Sequence, residues 1–295
     1  MSVPNGPRLA ATDDAGVTTA GQWREALAEH PAPAIALDAG RLVVVAPHPD
    51  DEVLGLGATM AARSARSAEA LAEVTPGADG SGALTSDVVV CVSDGAASHP
   101  GEVAEGEMRG RRQAECEDGA RELGIDLRML GLPDGGLDAT AVDAALHPAL
   151  DELEPATVAV TWSGDGHPDH HVCAESVRRW WEGRRGGGDG SGAAVSLLEF
   201  PVWMWHWAKP GDPDVPWARL RRVGLSHLVG VMGGDSGAKK SHADIVADAF
   251  AHKRRALAAH ASQLAPQSDA PDATVILPEA VVERFFLGDE WVFTP

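Results

Sequence analysis

The chain is predicted to fold as an open α/β structure around a mainly parallel sheet, on three observations. Short β-branched apolar runs recur along its 295 residues. Each leads into a polar turn and then a stretch of helical length and composition. No repeat at a fixed period is present, which sets solenoids and propellers aside. Alternation of this kind joins parallel strands through helices that cover the sheet.

Met1 to Thr18 is polar and contains Gly and Pro, as in a mobile arm, and a short helix is expected around Gly21 to Glu29. Leu42-Val43-Val44-Val45-Ala46 has the β-branched, wholly apolar character of a strand covered on both faces. It runs into His48-Pro49-Asp50-Asp51-Glu52, after which the Ala-rich Val53 to Ala72 suits a helix and Pro76 to Gly82 a loop. The unit then recurs, with a strand over Asp87 to Val92, a helix over Glu105 to Leu123 and a third strand over Leu127 to Leu130. A helix over Ala141 to Leu153 precedes a fourth strand, Thr157 to Thr161, which leads to His167-Pro168-Asp169-His170. Val172 to Trp181 is the following helix, Gly183 to Gly192 a low-complexity loop, Val195 to Phe200 a fifth strand and Ser241 to His260 the last long helix. Ligands of open α/β sheets bind outside the carboxyl ends of the strands, and both His-Pro-Asp segments fall there.

Composition narrows the function classes. Hydrophobic residues make up 44% and charged residues 23% of the chain, the proportions of an ordinary globular protein. A formal charge of -20 disfavours nucleic acid as a partner, because that affinity comes from cations neutralising phosphates. No apolar run approaches the ~20 residues of a membrane span, and Met1 to Gly16 lacks the pattern of a secretory signal, so the expectation is a cytoplasmic protein. Cys91, Cys116 and Cys173 show neither disulfide nor Cys-x-x-Cys spacing and read as small buried residues.

His48 and Asp51, three apart in a tight turn, together with His167, Asp169 and His170, supply imidazoles and carboxylates, the ligand types of zinc. A catalytic zinc takes three protein ligands and leaves a position for water, so three of these groups suffice and the others are free for acid-base work. One such segment alone reads equally well as a polar loop with helix-capping carboxylates; two, each after an apolar strand, favour a metal site.

The segments Ala46-Pro47-His48-Pro49-Asp50-Asp51-Glu52 and Gly166-His167-Pro168-Asp169-His170 resemble the two motifs of the LmbE-like, or PIG-L-like, zinc deacetylases, over roughly Leu42 to Gln263. The resemblance implies a Rossmann-like three-layer α/β/α fold and a single domain over residues 1–295, with a Trp-rich insertion at about 200–240. It implies one zinc ion per chain on His48, Asp51 and His170, with Asp50 as the general base. Zinc lowers the pKa of bound water to about 7, and a carboxylate beside it takes the proton as the water attacks a carbonyl. His167 is then the candidate for stabilising the oxyanion and handling the leaving group's proton, and Asp169 for orienting one of the histidines beside it.

Looser matches make Arg112 and Asp134 substrate-contact candidates; a surface ion pair and a Pro-Asp-Gly turn explain them equally well. Some relatives carry a tyrosine two residues before the first His of the second motif, where this chain has Asp165 and no Tyr anywhere. Asp165 is therefore expected near the substrate, favouring one with a cation. Trp203, Trp205 and Trp207 would share one face of an extended segment, as a sugar platform, a core layer or a subunit contact in a homo-oligomer, with Trp217 and Gly233 to Gly237 on the same rim. Lys253, His260, Ser262 and Gln263 resemble a late family motif, for which helix packing and capping is the simpler explanation. His99, His147 and His227 stand alone as solvated or core groups, and His171 is an alternative ligand to His170.

The expected activity is zinc-dependent N-deacetylation of an N-acetylated amino sugar or related small N-acyl substrate. The alternatives are an amidase acting on a larger N-acyl or thiol-conjugate substrate and a carbohydrate-binding protein with a retained zinc. A metal-dependent phosphoesterase is disfavoured, since only one compact ligand set is visible.

Overall fold

The computed structural model describes residues 17–30, 32–37, 40–73, 86–186, 194–225, 241–270 and 273–295. The loops expected at Pro76 to Gly82 and Gly233 to Gly237, most of the N-terminal arm and most of the Gly183 to Gly192 loop lie outside the described residues.

Helix α1 (Ala20–Glu29) precedes the short strand β1 (Ala34–Ile35). Four strand–helix units follow: β2 (Leu42–Ala46) with α2 (Asp51–Glu73), β3 (Val88–Ser93) with α3 (Glu105–Leu123), β4 (Asp126–Leu132) with α4 (Ala139–Leu153), and β5 (Thr157–Thr161) with α5 (Pro168–Gly186). The chain continues through β6 (Ser196–Phe200), the one-turn α6 (Met204–Trp207), β7 (Leu220–Val223), α7 (His242–Ala259), α8 (Ala261–Leu264), α9 (Glu279–Val282) and β8 (Glu290–Phe293).

Among the described residues, eight strands form one sheet in the order β1-β7-β8-β6-β5-β2-β3-β4, with β8 antiparallel to both neighbours and the other pairs parallel. Side chains alternate between faces along a strand, so Leu42, Val44 and Ala46 enter one core with α2 and α3, while Val43 and Val45 enter a second with α4 and α5. The result is a three-layer α/β/α sandwich, as the resemblance implied. Strand order reverses beside β2: the chain moves outward through β3 and β4, then returns to place β5 on the other side. The crevice at such a reversal is where open α/β sheets bind ligands.

One expectation is corrected. The segment from Trp203 to Trp207 is not extended but turns into α6, because the Asp165 carboxylate accepts the backbone N–H groups of Val202, Trp203 and Met204 and caps the turn. Trp205 consequently points into the core, its ring 5.1 Å from that of Trp23 in an edge-on contact. Trp203 and Trp207, four apart on a helical turn, lie half-buried. The chain after β6 also contributes β7 and β8 to the sheet.

Candidate active site

Four strands deliver the site's residues from their carboxyl ends: β2 leads to His48, Asp50 and Asp51, β3 to Asp94, β4 to Asp134, and β5 to Asp165, His167, Asp169 and His170. The turn after β2 is tightly held. The Asp51 N–H donates to the His48 carbonyl, the Leu54 N–H to the Asp50 carbonyl at 2.9 Å, and the Asp50 N–H to the Glu52 carboxyl at 3.1 Å. Asp50 sits at φ 123°, a conformation that L side chains rarely adopt. Such strain persists only where the surroundings over-determine it. Here Arg112 donates to the Pro49 carbonyl and, at 3.3 Å, to the Asp50 carboxylate. Gly95 lets this guanidinium approach, since a Cβ there would lie 2.8 Å from Arg112 Nε.

The ring nitrogens of the two expected histidine ligands are divided between tasks. His170 Nδ1 lies 2.7 Å from Asp165 Oδ2, which fixes the proton on Nδ1 and leaves the Nε2 lone pair 3.2 Å from Asp51 Oδ2. His48 Nε2 lies 3.2 Å from Asp169 Oδ2 and 3.3 Å from Asp134 Oδ1, which leaves its Nδ1 lone pair 3.2 Å from the same Asp51 oxygen. With both rings neutral in this tautomer, two imidazole lone pairs face one carboxylate oxygen, a place for positive charge in the form of a metal ion or of a second proton on each ring. Tetrahedral zinc ligands bonded at 2.0–2.1 Å sit roughly 3.3 Å from one another, close to the distance from each ring nitrogen to Asp51 Oδ2. His170 Nε2 is buried without a hydrogen-bond partner. His48 and His170, with the Asp51 carboxylate beside both rings, are of the donor types that suit a divalent metal ion. Among the described residues, two groups of three place ligand atoms within 4.8 Å of one another, His48 with His167 and His170, and His48 with Asp134 and Asp169; Asp51 belongs to neither.

Electrostatics point the same way. Burial disfavours charge on His48, yet hydrogen bonds to Asp134, Asp169 and Asp51 raise its pKa well above the usual value. Burial likewise opposes charge on His170, but Asp51 and Asp165 push it up to about 9. The site attracts positive charge strongly enough to hold protons on imidazoles against desolvation. Asp50 differs: burial pushes its carboxyl up to about 6 against the pull of Arg112. His167 is driven down to about 3, first by burial and then by repulsion from His170 and His48, and is neutral. The Asp169 N–H donates to His167 Nδ1 at 3.2 Å, so this neutral ring carries its proton on Nε2.

Several expected residues take other positions. Asp165 is fully buried, both its oxygens bound to His170 and to the backbone around α6, so it does not face a substrate. The Asp169 side chain holds His48 rather than either histidine of its own segment, because it points to the β2 turn and its other oxygen accepts the Leu137 N–H. Arg112 is neither a surface pair nor an open substrate contact; it is buried behind Asp50. Asp134 lies beside His48 and accepts the Ala97 N–H. His171 turns away, its Nδ1 on the Ser163 carbonyl.

Asp94 and Glu52 were given no role from sequence. Asp94 joins the loops after β3 and β4, accepting the Ala96 and Asp134 N–H groups and pairing with Arg109 at 2.6 Å. Its place just past a strand end was the available signal. Glu52, buried beneath Asp50, is pushed up to about 8 by burial and by the Asp50 charge, and is protonated at neutral pH.

Residues 43–181 match the model of the PIG-L family, described as GlcNAc-PI de-N-acetylase. The probable N-acetyl-alpha-D-glucosaminyl L-malate deacetylase 2 of Bacillus subtilis (strain 168) is 36% identical over 73 residues, a match covering 23% of this chain and 33% of that protein. The alignment thus spans about a third of that relative's length. The structure of N,N'-diacetylchitobiose deacetylase from Pyrococcus horikoshii superposes with a TM-score of 0.52 at 16% identity, covering 87% of this chain and 83% of that one. A triple mutant of a deacetylase of the teicoplanin biosynthetic pathway superposes with a TM-score of 0.50 at 17% identity, covering 86% and 97%. These structures share the fold. Residues 43–181, the segment similar to the PIG-L family, hold every member of the cluster around His48.

Proposed function

We propose that the chain is a zinc-dependent N-deacetylase that hydrolyses the amide of an N-acetylated amino sugar or a related small N-acyl substrate. The observation that carries this reading is the convergence of the His48 Nδ1 and His170 Nε2 lone pairs on Asp51 Oδ2. The family description and the amino-sugar deacetylase name of the Bacillus subtilis relative support the reaction class.

His48, Asp51 and His170 would hold the ion. When bound there, zinc acidifies a water molecule and polarises a carbonyl oxygen. Asp50, with a pKa brought near neutrality, accepts the proton of the attacking water. Arg112 keeps enough of the Asp50 carboxylate ionised for this role. As the carbonyl carbon becomes tetrahedral, the His167 Nε2–H donates to the oxygen on which negative charge builds. The proton held by Asp50 then passes to the amine nitrogen as the C–N bond breaks, giving acetate and a free amine. Asp169 and Asp134 hold the His48 ring, and Asp165 the His170 ring.

Acetate release from a panel of N-acetylated amino sugars and longer acyl-amines, with zinc-loaded and chelated protein, tests the proposal. Zinc-dependent acetate from an amino sugar is the expected result. Release of longer acyl groups alone would favour an amidase, and saturable sugar binding without product would favour a carbohydrate-binding protein.

A further inference from the structure

One buried ion pair plays no part in the chemistry above. Lys253 of α7 and Glu290 of β8 are both buried, with Nζ 2.8 Å from Oε1. Desolvating two charges is costly, and a well-packed apolar pair often serves stability as well, so the pair's remaining hydrogen bonds matter.

Those bonds all go to helix α2. Lys253 Nζ donates to the Leu54 carbonyl at 2.8 Å, while Glu290 accepts the Ala58 N–H at 2.9 Å and the Thr59 N–H at 2.7 Å. Between them lies Leu56, with non-helical φ -129° and ψ 21°, where α2 kinks. Ala58 and Leu54 are residues i and i−4. In a straight helix the Ala58 N–H would bond the Leu54 carbonyl, and here the ion pair is inserted between those two groups. Glu290 acts as an N-cap for the longer segment, delivered from a distant strand with the sign that a helix start favours. Lys253 satisfies a carbonyl that the break leaves unpaired. The flanking glycines make room: a Cβ on Gly55 would clash with the Phe200 ring, and one on Gly57 would lie 3.0 Å from Lys253 Cγ.

The turn cut off by this kink carries Asp51, and the Leu54 N–H bonds the Asp50 carbonyl at 2.9 Å. The backbone of Leu54 is thus bound to Lys253 through its carbonyl and to Asp50 through its N–H. We propose that the Lys253–Glu290 pair is a positioning device, a wedge that fixes the kink at Leu56 and so sets how the first turn of α2 presents Asp51 and Asp50. This rests on Asp51 as a metal ligand and Asp50 as the base.

The decisive variant is Lys253→Met/Glu290→Leu. It strands no charge, and it frees the Ala58 N–H and the Leu54 carbonyl to bond each other. It is expected to fold, to bind zinc about tenfold or more weakly by calorimetric titration, and to lose kcat with little change in KM. Glu290→Asp keeps both charges but withdraws the carboxylate from the Ala58 and Thr59 amides; a weaker zinc affinity, in a protein melting near the wild type, is expected again. Zinc affinity within twofold of wild type in Glu290→Asp, or in a folded double variant, would overturn the proposal and leave the pair a role in stability alone. Failure of the wild-type protein to bind zinc would instead overturn the metal-site reading.

Discussion

Asp165 and His170 form a fully buried pair, with Oδ2 2.7 Å from Nδ1, and the same carboxylate caps the turn that begins at Val202. The contact joins the chemistry at the end of β5 to the Trp-bearing segment after β6. It also determines which nitrogen of His170 is free, since a histidine that donates one N–H to a carboxylate offers its other nitrogen as a stronger ligand. Asp165→Asn should therefore weaken zinc binding by about 10–100-fold. Competition titrations with a chelator of known affinity measure this. An Asp165 that contacted substrate would instead raise KM and leave zinc affinity unchanged.

Asp50 should separate metal binding from turnover. Asp50→Asn keeps an oxygen for Arg112 but cannot take a proton, so kcat should fall by about 10²–10⁴-fold, the usual contribution of a positioned acid-base group. Zinc content, measured by elemental analysis, should match wild type, because His48, Asp51 and His170 are intact. Undiminished turnover would remove Asp50 from the mechanism.

Arg112 lowers the Asp50 pKa, against the larger effect of burial, which raises it. In Arg112→Met the Asp50 pKa should rise, so the acid limb of the kcat/KM profile should move to higher pH. KM measured above that limb should change little, since the guanidinium is buried behind Asp50. A large rise in KM with an unmoved acid limb would instead return Arg112 to the substrate.

The legibility of this chain follows from how local each signal is. Strands Leu42–Ala46 and Thr157–Thr161 have observed ends that coincide with those read from sequence, because a parallel strand buried on both faces is an unbroken apolar run with polar residues at its boundaries. The His-Pro-Asp segments were legible for the same reason, each sitting directly after such a strand. The Trp segment was misread because what bends it is the carboxylate of Asp165, far away in sequence. The kink in α2 was illegible too, since Gly55 and Gly57 permit it but Lys253 and Glu290 hold it, from elements that meet only in the folded chain. Local pattern located the groups that perform chemistry; tertiary contacts decided which nitrogen, which tautomer and which turn.

His260 should make the protein sensitive to mild acid. Its ring is buried, both nitrogens lack hydrogen-bond partners, and burial followed by repulsion from Arg112 pushes its pKa down to about 3. An unfolded chain titrates the same group near 6.5. Between those values the unfolded state binds the proton and the folded state does not, so this contribution to stability is complete above about pH 6.5 and is lost as pH falls toward 3. The loss approaches about 1.4 kcal/mol per pH unit within the window, or about 2 kcal/mol between pH 7 and pH 5. His260→Leu removes the titration and strands no hydrogen bond, so urea unfolding of the zinc-free proteins at the two pH values isolates the term. Relative to wild type, the variant should gain about 2 kcal/mol at pH 5 over its standing at pH 7. An equal difference at both values would mean that His260 titrates alike in the folded and unfolded chains.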